Sequence, residues 1–241
     1  MQEAHVTNKP RSITILTGAG ISAESGVPTF RGPDGLWEGH RVEDVATPEA
    51  FARDPQLVQT FYDARRAALQ TVEPNAAHRA LARLEREVGA ECRIVTQNVD
   101  NLHERAGSRN LLHMHGELVR ARCSACGTKQ EAPALMAEGP SCEACERAGT
   151  LRPDIVWFGE MPFFMDRIER ALADTDLFVS IGTSGAVYPA AGFVQIAASH
   201  GARTLELNLE PSEGTAFFDE ARHGPAGTLV PEWVEEVLGL G

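Results

Sequence analysis

The chain has 241 residues, and its 22 Lys and Arg residues against 34 Asp and Glu residues give a formal net charge of −12 at pH 7. This length predicts one large domain or a domain with a smaller insert, and 43% hydrophobic with 23% charged residues excludes disorder, collagen and coiled coil. The acidic balance argues against DNA, RNA or anionic lipid as partners. No apolar run approaches the roughly 18 residues of a membrane-spanning helix, and the N-terminus lacks the apolar centre of a signal peptide. We therefore expect a cytoplasmic protein that binds no nucleic acid directly and no membrane.

The first elements of the chain predict a strand, a glycine turn and a helix start. Residues 11–17 form a β-branched and aliphatic run that ends at Gly18, and residues 21–24 are compatible with a helix. Residues 28–39 combine glycine, proline and charge with two aromatic side chains. Such a composition is typical of a long ordered loop, which can cover a ligand as a lid.

The later elements alternate between helix and strand. Two short helices are predicted within residues 47–70, where apolar residues recur at helical spacing. A further helix is predicted between Asn75 as its N-cap and Gly89 just past its end. The remaining segments predict strands at 92–95, 111–114, 176–181 and 204–207, and helices at 187–200 and 231–238, the last with proline in its first turn. This alternation indicates an α/β fold with a mostly parallel sheet and ligands at the carboxyl ends of its strands.

Four of the five cysteines form two C-x-x-C pairs. Cys123 and Cys126 are followed, after fifteen intervening residues, by Cys142 and Cys145. Four thiolates at this spacing close a tetrahedral Zn²⁺ shell, and they leave no position for water or substrate. The metal would therefore be structural and would hold together residues 118–150, an inserted segment poor in aliphatic side chains. Two redox-active pairs are the alternative, although neither pair opens a helix after a strand as a thioredoxin-like site does.

The turn at Gly18, Gly20 and Ala23 approximates the dinucleotide-binding pattern G-x-G-x-x-G/A. In that pattern the glycines let the backbone approach a pyrophosphate at a helix N-terminus. By itself the turn fits a tight strand-to-helix connection without a ligand equally well. The acidic residue expected about 20 residues later is not evident either, because Glu43 and Asp44 do not end a strand. An ordinary nicotinamide dehydrogenase is therefore disfavoured.

This turn is one of several motifs that follow one another over nearly the whole chain. They are GAGISAESG at 18–26, the pair Phe30-Arg31, TQNVDNLH at 96–103, HMHG at 113–116, the four cysteines, VWFGE at 156–160, GTS at 182–184 and NLE at 208–210. In these motifs, and in their order, the chain resembles the sirtuin family, and within it the bacterial-type class III sirtuins that act on succinyl and acetyl groups. The resemblance implies an α/β fold: a Rossmann-type, mostly parallel sheet flanked by helices, with a smaller zinc-binding and helical domain inserted.

The resemblance also implies how the chain is divided and what it catalyses. One catalytic domain would span 1–241, with a Rossmann-type NAD-binding part at about 1–37, 75–117 and 151–241 and a small domain at about 38–74 (helical) and 118–150 (zinc). The implied activity is the NAD-dependent removal of succinyl- and malonyl-type and acetyl groups from protein lysines, which yields nicotinamide and O-acyl-ADP-ribose. We therefore expect NAD as co-substrate, one structural zinc ion, and acyl-lysine proteins or peptides as partners.

The NAD contacts are predicted at the glycine turn, the lid and the strand ends. Arg31 on the lid can supply positive charge to the pyrophosphate, and Phe30 can cover the ribose and nicotinamide. Side chains after the 92–95 strand can bind the nicotinamide ribose and carboxamide, because they follow its carboxyl end. The full set of predicted NAD contacts is Gly18, Ala19, Gly20, Ser22, Phe30, Arg31, Trp37, Gln97, Asn98, Asp100, Gly182, Thr183, Ser184, Asn208, Leu209, Glu210 and Ala226.

The resemblance assigns the catalytic base to His115. In the mechanism of the family, the acyl oxygen attacks the ribose carbon as nicotinamide leaves, and a histidine then removes a ribose hydroxyl proton so that this oxygen captures the imidate. Histidine suits this task because it titrates near neutral pH. His113 would lie on the same side of an extended segment, so the spacing alone leaves both histidines open. His103 is interpreted as structural.

The acyl-lysine peptide is predicted to bind beside Val156, Phe158 and Gly159. An extended peptide can add as a strand to the backbone of this segment, while Val156 and Phe158 line the lysine channel. The alternative is a core strand with one exposed aromatic side chain.

A second substrate contact is predicted on the helix of residues 55–70. Tyr62 and Arg65 stand at positions i and i+3, so that a phenol and a guanidinium can reach a single group. They match the Tyr-x-x-Arg pair that the resemblance assigns to sirtuins preferring succinyl, malonyl or glutaryl lysine, whose acyl chains end in a carboxylate. The alternative is a core tyrosine and a solvated arginine. Arg66 is predicted to face elsewhere and to be dispensable.

Two other functions compete with protein deacylation. The same NAD site could pass ADP-ribose to a protein side chain, which would make the chain a mono-ADP-ribosyltransferase. A zinc-ribbon binding module would explain the cysteines but not the glycine turn, the segment 97–100 or His115. The net charge of −12 disfavours a nucleic-acid version of that module.

Overall fold

A computed structural model describes residues 10–29, 37 and 39–240 of the chain. Within these residues the strands are β1 Ile13–Thr17, β2 Cys92–Thr96, β3 Leu111–His113, β4 Gly116–Cys123, β5 Lys129–Glu131, β6 Leu151–Ile155, β7 Leu177–Ile181, β8 Arg203–Asn208 and β9 Glu220–His223. The α-helices are α1 Val42–Val45, α2 Pro48–Arg53, α3 Pro55–Leu69, α4 Ala76–Val88, α5 Leu102–Ala106, α6 Met165–Ala173, α7 Phe193–Ser199 and α8 Ala226–Leu238. Short 3₁₀ helices occupy Ala19–Ser25, Gly89–Glu91, Met136–Glu138, Ala190–Gly192 and Thr215–Phe217.

Six strands form one sheet in the order β3-β2-β1-β7-β8-β9, and every neighbouring pair is parallel. The strand order reverses between β1 and β7, which is where doubly wound sheets bind their ligands. In the register of the sheet, Thr17 pairs with both Thr96 and Ile181, so the chain leaves three adjacent strands at the same level. The predicted α/β fold with a mostly parallel sheet is confirmed.

Helices cover both faces of this sheet. Side chains of α4 and α8 pack on one face against completely buried residues such as Ile13 and Ile94, and α6 and α7 cover the other face with Phe178 at its centre. Strands buried on both faces are predominantly apolar, as in β1 and β7, in which every residue is buried. Burial of each large aliphatic side chain contributes about 1.5–3 kcal/mol, so this layered core dominates the stability.

A second, three-stranded sheet of order β5-β4-β6 is antiparallel and carries the four cysteines near its end. Helices α1 to α3 pack with it through a separate apolar cluster that includes Val58, Leu118 and Trp157. The sequence pattern at 118–150 indicated an insert but not its strands, because β5 has only three residues and β4 contains few large aliphatic side chains.

Several element boundaries differ from the predicted ones. The last helix begins at Ala226 rather than Pro231. The Glu24 carboxylate accepts the Gly227 N–H at 2.8 Å, so one of the backbone donors in the first turn of the helix has a partner. The predicted helix at 187–200 is a 3₁₀ turn followed by α7, since Pro189 disfavours helical geometry in the residue before it. The helix start after Gly18 is 3₁₀ rather than α. Helix α4 is capped as predicted, with the Asn75 side chain accepting two backbone N–H bonds.

None of the helices in the described part of the chain is both long and apolar enough to cross a membrane.

Candidate active site

The carboxyl ends of the parallel strands open into a cavity of about 910 Å³ between the six-stranded sheet on one side and α3 with the segment after β6 on the other. Its floor is formed by the ends of β1, β2, β7 and β8, and its far wall by α3 and the segment after β6. Segments that are remote in sequence meet here because parallel strands all end at the same edge.

The structure brings almost all predicted site residues to this one cavity. Its lining includes Gly18, Ala19, Gly20, Ser22, Trp37, Gln97, Asn98, Asp100, His115, Gly182, Thr183, Ser184, Asn208, Leu209, Glu210 and Ala226, as well as Tyr62, Arg65, Val156, Phe158 and Gly159. Phe30 and Arg31, and with them most of the predicted lid, lie outside the described residues. Trp37 lies edge-on to Phe61 and Tyr62, so it belongs to the α3 end of the cavity.

The glycines of the first turn are required by backbone packing. A Cβ at Gly18 would lie 2.8 Å from the Gly182 carbonyl oxygen, and one at Gly20 would lie 2.7 Å from the Gly182 Cα. The N–H groups of Gly18 and Gly20 donate to the Ile181 and Gly182 carbonyls at 2.9 and 2.8 Å. These two N–H groups therefore tie β1 to β7 instead of being open to a phosphate. Glycine at these positions lets two strand ends approach closely beside the cavity.

The polar side chains after β2 form a buried network with this turn. Asn98 donates to the Gly18 carbonyl at 3.1 Å and to Ser22 Oγ at 3.2 Å, and Ser22 donates to Asp100 at 2.9 Å. Burial raises the pKa of Asp100, although hydrogen bonds from Ser22 and the Leu102 N–H oppose that shift. These side chains thus hold the turn and the strand end in fixed positions beside the cavity.

Two further histidines, His78 and His103, lie beneath this network. Their rings are 5.0 Å apart, His78 approaches Ser22 at 3.4 Å, and His103 approaches the Thr17 hydroxyl at 3.0 Å. Burial lowers the pKa of His78 to about 4 and that of His103 well below its ordinary value, so both are neutral. His103 is structural, as predicted. His78 was not predicted, because nothing in the periodicity of α4 distinguishes it from a surface residue.

His115 lies at the cavity in a form suited to a base. Its Nδ1 lies 3.2 Å from the Gln97 carbonyl oxygen, which can only accept, so Nδ1 carries the proton and Nε2 keeps its lone pair. Burial lowers the pKa of His115, and the bond to Gln97 opposes that shift. The imidazole is therefore neutral at pH 7 and can accept a proton.

His113 has a different environment. Its Nδ1 faces the Asn98 carbonyl at 3.2 Å and its Nε2 faces the Glu104 carboxylate at 2.6 Å, so both nitrogens meet acceptors. Burial alone would lower the pKa of His113, but the hydrogen bond and charge of Glu104 raise it overall. A protonated imidazole with both N–H groups engaged cannot act as a base, so the geometry favours His115 over His113.

Tyr62 and Arg65 lie together at the α3 end of the cavity. Tyr62 is completely buried, and its hydroxyl accepts a hydrogen bond from Trp157 Nε1 at 3.0 Å. The half-buried Arg65 guanidinium lies 3.5 Å from the centre of the Phe61 ring and donates to the Phe61 carbonyl at 3.0 Å. Apolar residues, including Ala46, Leu69 and Val72, line the same part of the cavity. Among the described residues, this end of the cavity is therefore mainly apolar and carries the phenol of Tyr62 and the guanidinium of Arg65.

The prediction that Arg66 is dispensable disagrees with the structure. Arg66 is 7% exposed, forms an ion pair with Asp63 and donates to the Leu118 carbonyl at 3.3 Å. The Asp63 carboxylate also accepts the N–H groups of Met136 and Ala137 at 3.1 and 2.9 Å. Arg66 does face away from the cavity, but the zinc-binding segment packs on that side, so the residue lies in a buried contact.

In the segment after β6, part of the backbone is already hydrogen-bonded within the protein. The Val156 N–H donates to the His115 carbonyl and the Phe158 N–H to the Ala46 carbonyl, so two of its donors are occupied. A turn follows at Phe158 and Gly159, where φ of Gly159 is +89°. The Phe158 side chain is 46% exposed at the cavity mouth. Val156, Phe158 and Gly159 lie at the cavity, and the addition of a peptide strand to the remaining backbone groups of this segment stays a prediction.

The four cysteines of the two knuckles form a compact cluster. Their Sγ atoms all lie within 4.8 Å of one another, and the pairs Cys123–Cys145 and Cys126–Cys142 are separated by 3.7 and 3.8 Å. Tetrahedral Zn²⁺ with Zn–S bonds of about 2.3 Å requires sulfur separations of about 3.8 Å. These contacts cross between the knuckles, as a shared ion demands, and the residues fit a structural zinc site.

Comparisons with known proteins identify relatives along nearly the whole chain. Residues 18–189 match the model of the Sir2 family. An "NAD-dependent protein deacylase" of Vibrio parahaemolyticus is 58% identical over 232 residues, which cover 95% of this chain and 96% of that protein. The protein of that name from Salmonella typhimurium is 59% identical over 94% of this chain and 84% of its own.

Solved structures show the same fold. The complex described as "Crystal structure of a Sir2 homolog-NAD complex" has a TM-score of 0.87 and 41% identity over 97% of this chain and 92% of that chain. The "Sir2-p53 peptide-NAD+" complex has a TM-score of 0.82 and 28% identity, covering 97% of this chain and 96% of that one.

Proposed function

The chain belongs to the Sir2 family and is an NAD-dependent protein deacylase, and we propose that it removes succinyl- and malonyl-type groups from lysine side chains as well as acetyl groups. The observation that carries this proposal is the position of Tyr62 and Arg65 at the α3 end of the cavity that also holds His115. The relatives named above are deacylases, and one similar structure contains a peptide, which supports a protein or peptide as the substrate.

The charge of the α3 end favours an acyl chain that ends in a carboxylate. A succinyl carboxylate can accept from the Arg65 guanidinium and from the Tyr62 hydroxyl, whereas an acetyl group offers neither of them an anion. Charge-assisted bonds of this kind each contribute about 1.5–3 kcal/mol.

The chemistry near His115 follows from its tautomer. Bound NAD supplies the ADP-ribose that accepts the acyl group, and its predicted contacts are the cavity residues at the ends of β1, β2, β7 and β8. His115 lines the cavity; its Nε2 carries no proton and can take one from a hydroxyl, while the Gln97 carbonyl accepts the hydrogen bond from Nδ1–H. The Asn98, Ser22 and Asp100 network fixes the strand end that carries Gln97.

Arg65→Met tests the proposed acyl specificity. We expect the variant to lower kcat/KM for a succinyl-lysine peptide by about 10- to 150-fold, the equivalent of one charge-assisted bond. The loss for the acetyl form of the same peptide should be much smaller, because acetyl carries no charge. Mass spectrometry of both peptides, with and without NAD, measures the two rates. Arg86→Met, which removes an exposed arginine from α4 outside the cavity, is the matched control.

The same assay separates the competing functions. Equal losses for the two peptides in Arg65→Met would contradict the acidic-acyl specificity and leave a deacetylase. Transfer of labelled ADP-ribose to protein without NAD-dependent loss of either acyl group would instead indicate a mono-ADP-ribosyltransferase. The reduced thiolates that zinc requires suit a reducing compartment, and we place the enzyme in the cytoplasm on that basis.

A further inference from the structure

The hydrogen bond between Trp157 and Tyr62 fixes the direction in which the phenol can act. An indole nitrogen only donates, so in the 3.0 Å contact the Tyr62 oxygen is the acceptor. Trp157 is 2% exposed and Tyr62 is completely buried, so water does not compete for this contact. One lone pair of the phenol is therefore occupied by a neighbour that can never accept its proton.

The phenolic proton of Tyr62 is retained and available. Burial raises the pKa of Tyr62 far above its ordinary value, so the group stays a neutral O–H donor at any working pH. Among the residues that the structure describes, no side-chain or backbone oxygen accepts this proton. An acyl carboxylate next to Arg65 would supply the acceptor, because a carboxylate accepts hydrogen bonds and offers none.

The indole itself is held in place from two sides. The Arg152 guanidinium lies 3.5 Å from the centre of the Trp157 ring, and Glu160 binds Arg152 through both oxygens at 2.7 and 2.9 Å. Glu160 also accepts the Trp157 backbone N–H at 2.9 Å. Phe51 packs against the indole with ring centres 5.2 Å apart. Trp157 therefore presents its Nε1–H to Tyr62 in one orientation.

We propose that Trp157 is a positioning residue for acyl specificity: its indole N–H occupies the acceptor side of the Tyr62 hydroxyl and so directs the phenolic proton toward the carboxylate of a succinyl-type substrate. This inference rests on the proposed function of Tyr62 and Arg65. Trp157 acts through Tyr62 and does not bind the carboxylate itself. Without the N–H, the hydroxyl rotates between donor and acceptor orientations, and only part of the population offers a proton to the substrate.

The test is a double-mutant cycle of Trp157→Phe and Tyr62→Phe, read as the ratio of kcat/KM for succinyl and acetyl forms of one peptide. In the otherwise unchanged protein, Trp157→Phe should lower this ratio by about three- to tenfold, the effect of one neutral hydrogen bond. In the Tyr62→Phe background, the same change should alter the ratio less than about twofold, because no hydroxyl is left to direct. Trp233→Phe, which removes a buried indole from α8, is the matched control and should leave the ratio unchanged.

Benzothienylalanine at position 157 provides a second variant with the indole shape but no N–H, should Trp157→Phe fold poorly. A fall in the ratio that is the same in both backgrounds, or no fall at all, would overturn the role of Trp157. Equal losses of kcat/KM for both peptides would show that Trp157 has only a structural role. Arg65→Met tests the underlying proposal separately. A ratio that is unchanged in that variant would reject the binding of an acyl carboxylate at Arg65, whatever Trp157→Phe shows.

Discussion

Two histidines two positions apart show how neighbouring groups decide the chemistry of one side-chain type. The Nδ1 atoms of His113 and His115 both face a backbone carbonyl at 3.2 Å. Only His113 also meets a carboxylate, that of Glu104, and the pKa values of the two histidines shift in opposite directions as a result. The sequence spacing could not separate them, since Glu104 comes from a helix whose position depends on the whole fold.

The lowered pKa of His115 predicts the acid limb of the pH–rate profile. The base must be neutral, so activity is lost when His115 becomes protonated. Because burial lowers its pKa below the ordinary 6.5, protonation requires a more acidic solution, and the limb should lie below pH 6.5. The profile of kcat/KM at saturating NAD measures this. His115→Ala should reduce the rate by about 10²–10⁴-fold and abolish the limb. A limb centred above pH 6.5 would contradict this assignment.

At the scale of elements, α3 joins two functions because two adjacent faces of the helix contact different partners. Tyr62 and Arg65 lie at the cavity, while Asp63 and Arg66 contact the zinc-binding segment. The first pair could be predicted because its i, i+3 spacing matches the Tyr-x-x-Arg pair of the sirtuins that the chain resembles; the spacing alone fits a core tyrosine and a solvated arginine as well. The second could not, because the Asp63 carboxylate binds a backbone N–H 73 positions away and no local pattern reports such a contact.

The buried ion pair on α3 predicts a large effect of Arg66→Met on stability. Removing the guanidinium leaves the Asp63 charge buried at 7% exposure, and breaking such a pair costs about 3–5 kcal/mol of unfolding free energy. Urea unfolding measures the change. Arg53→Met is the matched control: its pair with Asp44 has side chains 58% and 47% exposed, which predicts about 0–1 kcal/mol. Similar losses for both variants would show that the buried pair contributes no more than a surface one.

At the scale of the whole molecule, the site is assembled from the carboxyl ends of parallel strands and from a separate small sheet. The strand ends could be predicted from the sequence, since apolar runs followed by Gly18, Gln97 and Gly182 mark them directly. The use of Gly18 and Gly20 was less predictable: their N–H groups bond to the end of β7, a contact that only the sheet order reveals. The sequence of a strand indicates whether the strand is buried. The order of the strands in the sheet depends on how the entire chain packs.

The zinc cluster and the α3 end of the cavity are linked by direct contacts, and this link predicts the effect of removing the metal. The 3₁₀ helix Met136–Glu138 lies within the cysteine-bearing segment, and its first N–H groups are bound by Asp63, next to Tyr62. Without zinc, the four cysteines no longer share an ion that holds this segment together. The small apolar cluster of the segment is not enough to keep it folded. The contact that fixes this side of α3 is then lost as well.

We therefore expect chelation of zinc to lower the Tm and both deacylase activities together, and the succinyl activity more than the acetyl activity. Each kcal/mol of unfolding free energy that is lost lowers the Tm of a chain this size by about 2–4 °C, so the drop in Tm measures how much zinc contributes to stability. Differential scanning calorimetry, metal analysis and the two-peptide assay measure the three quantities on the same sample, and re-addition of Zn²⁺ should restore them. A metal-free protein that keeps its Tm and its succinyl activity would refute the structural role of the four cysteines. Equal losses of the two activities would refute only the connection through Asp63.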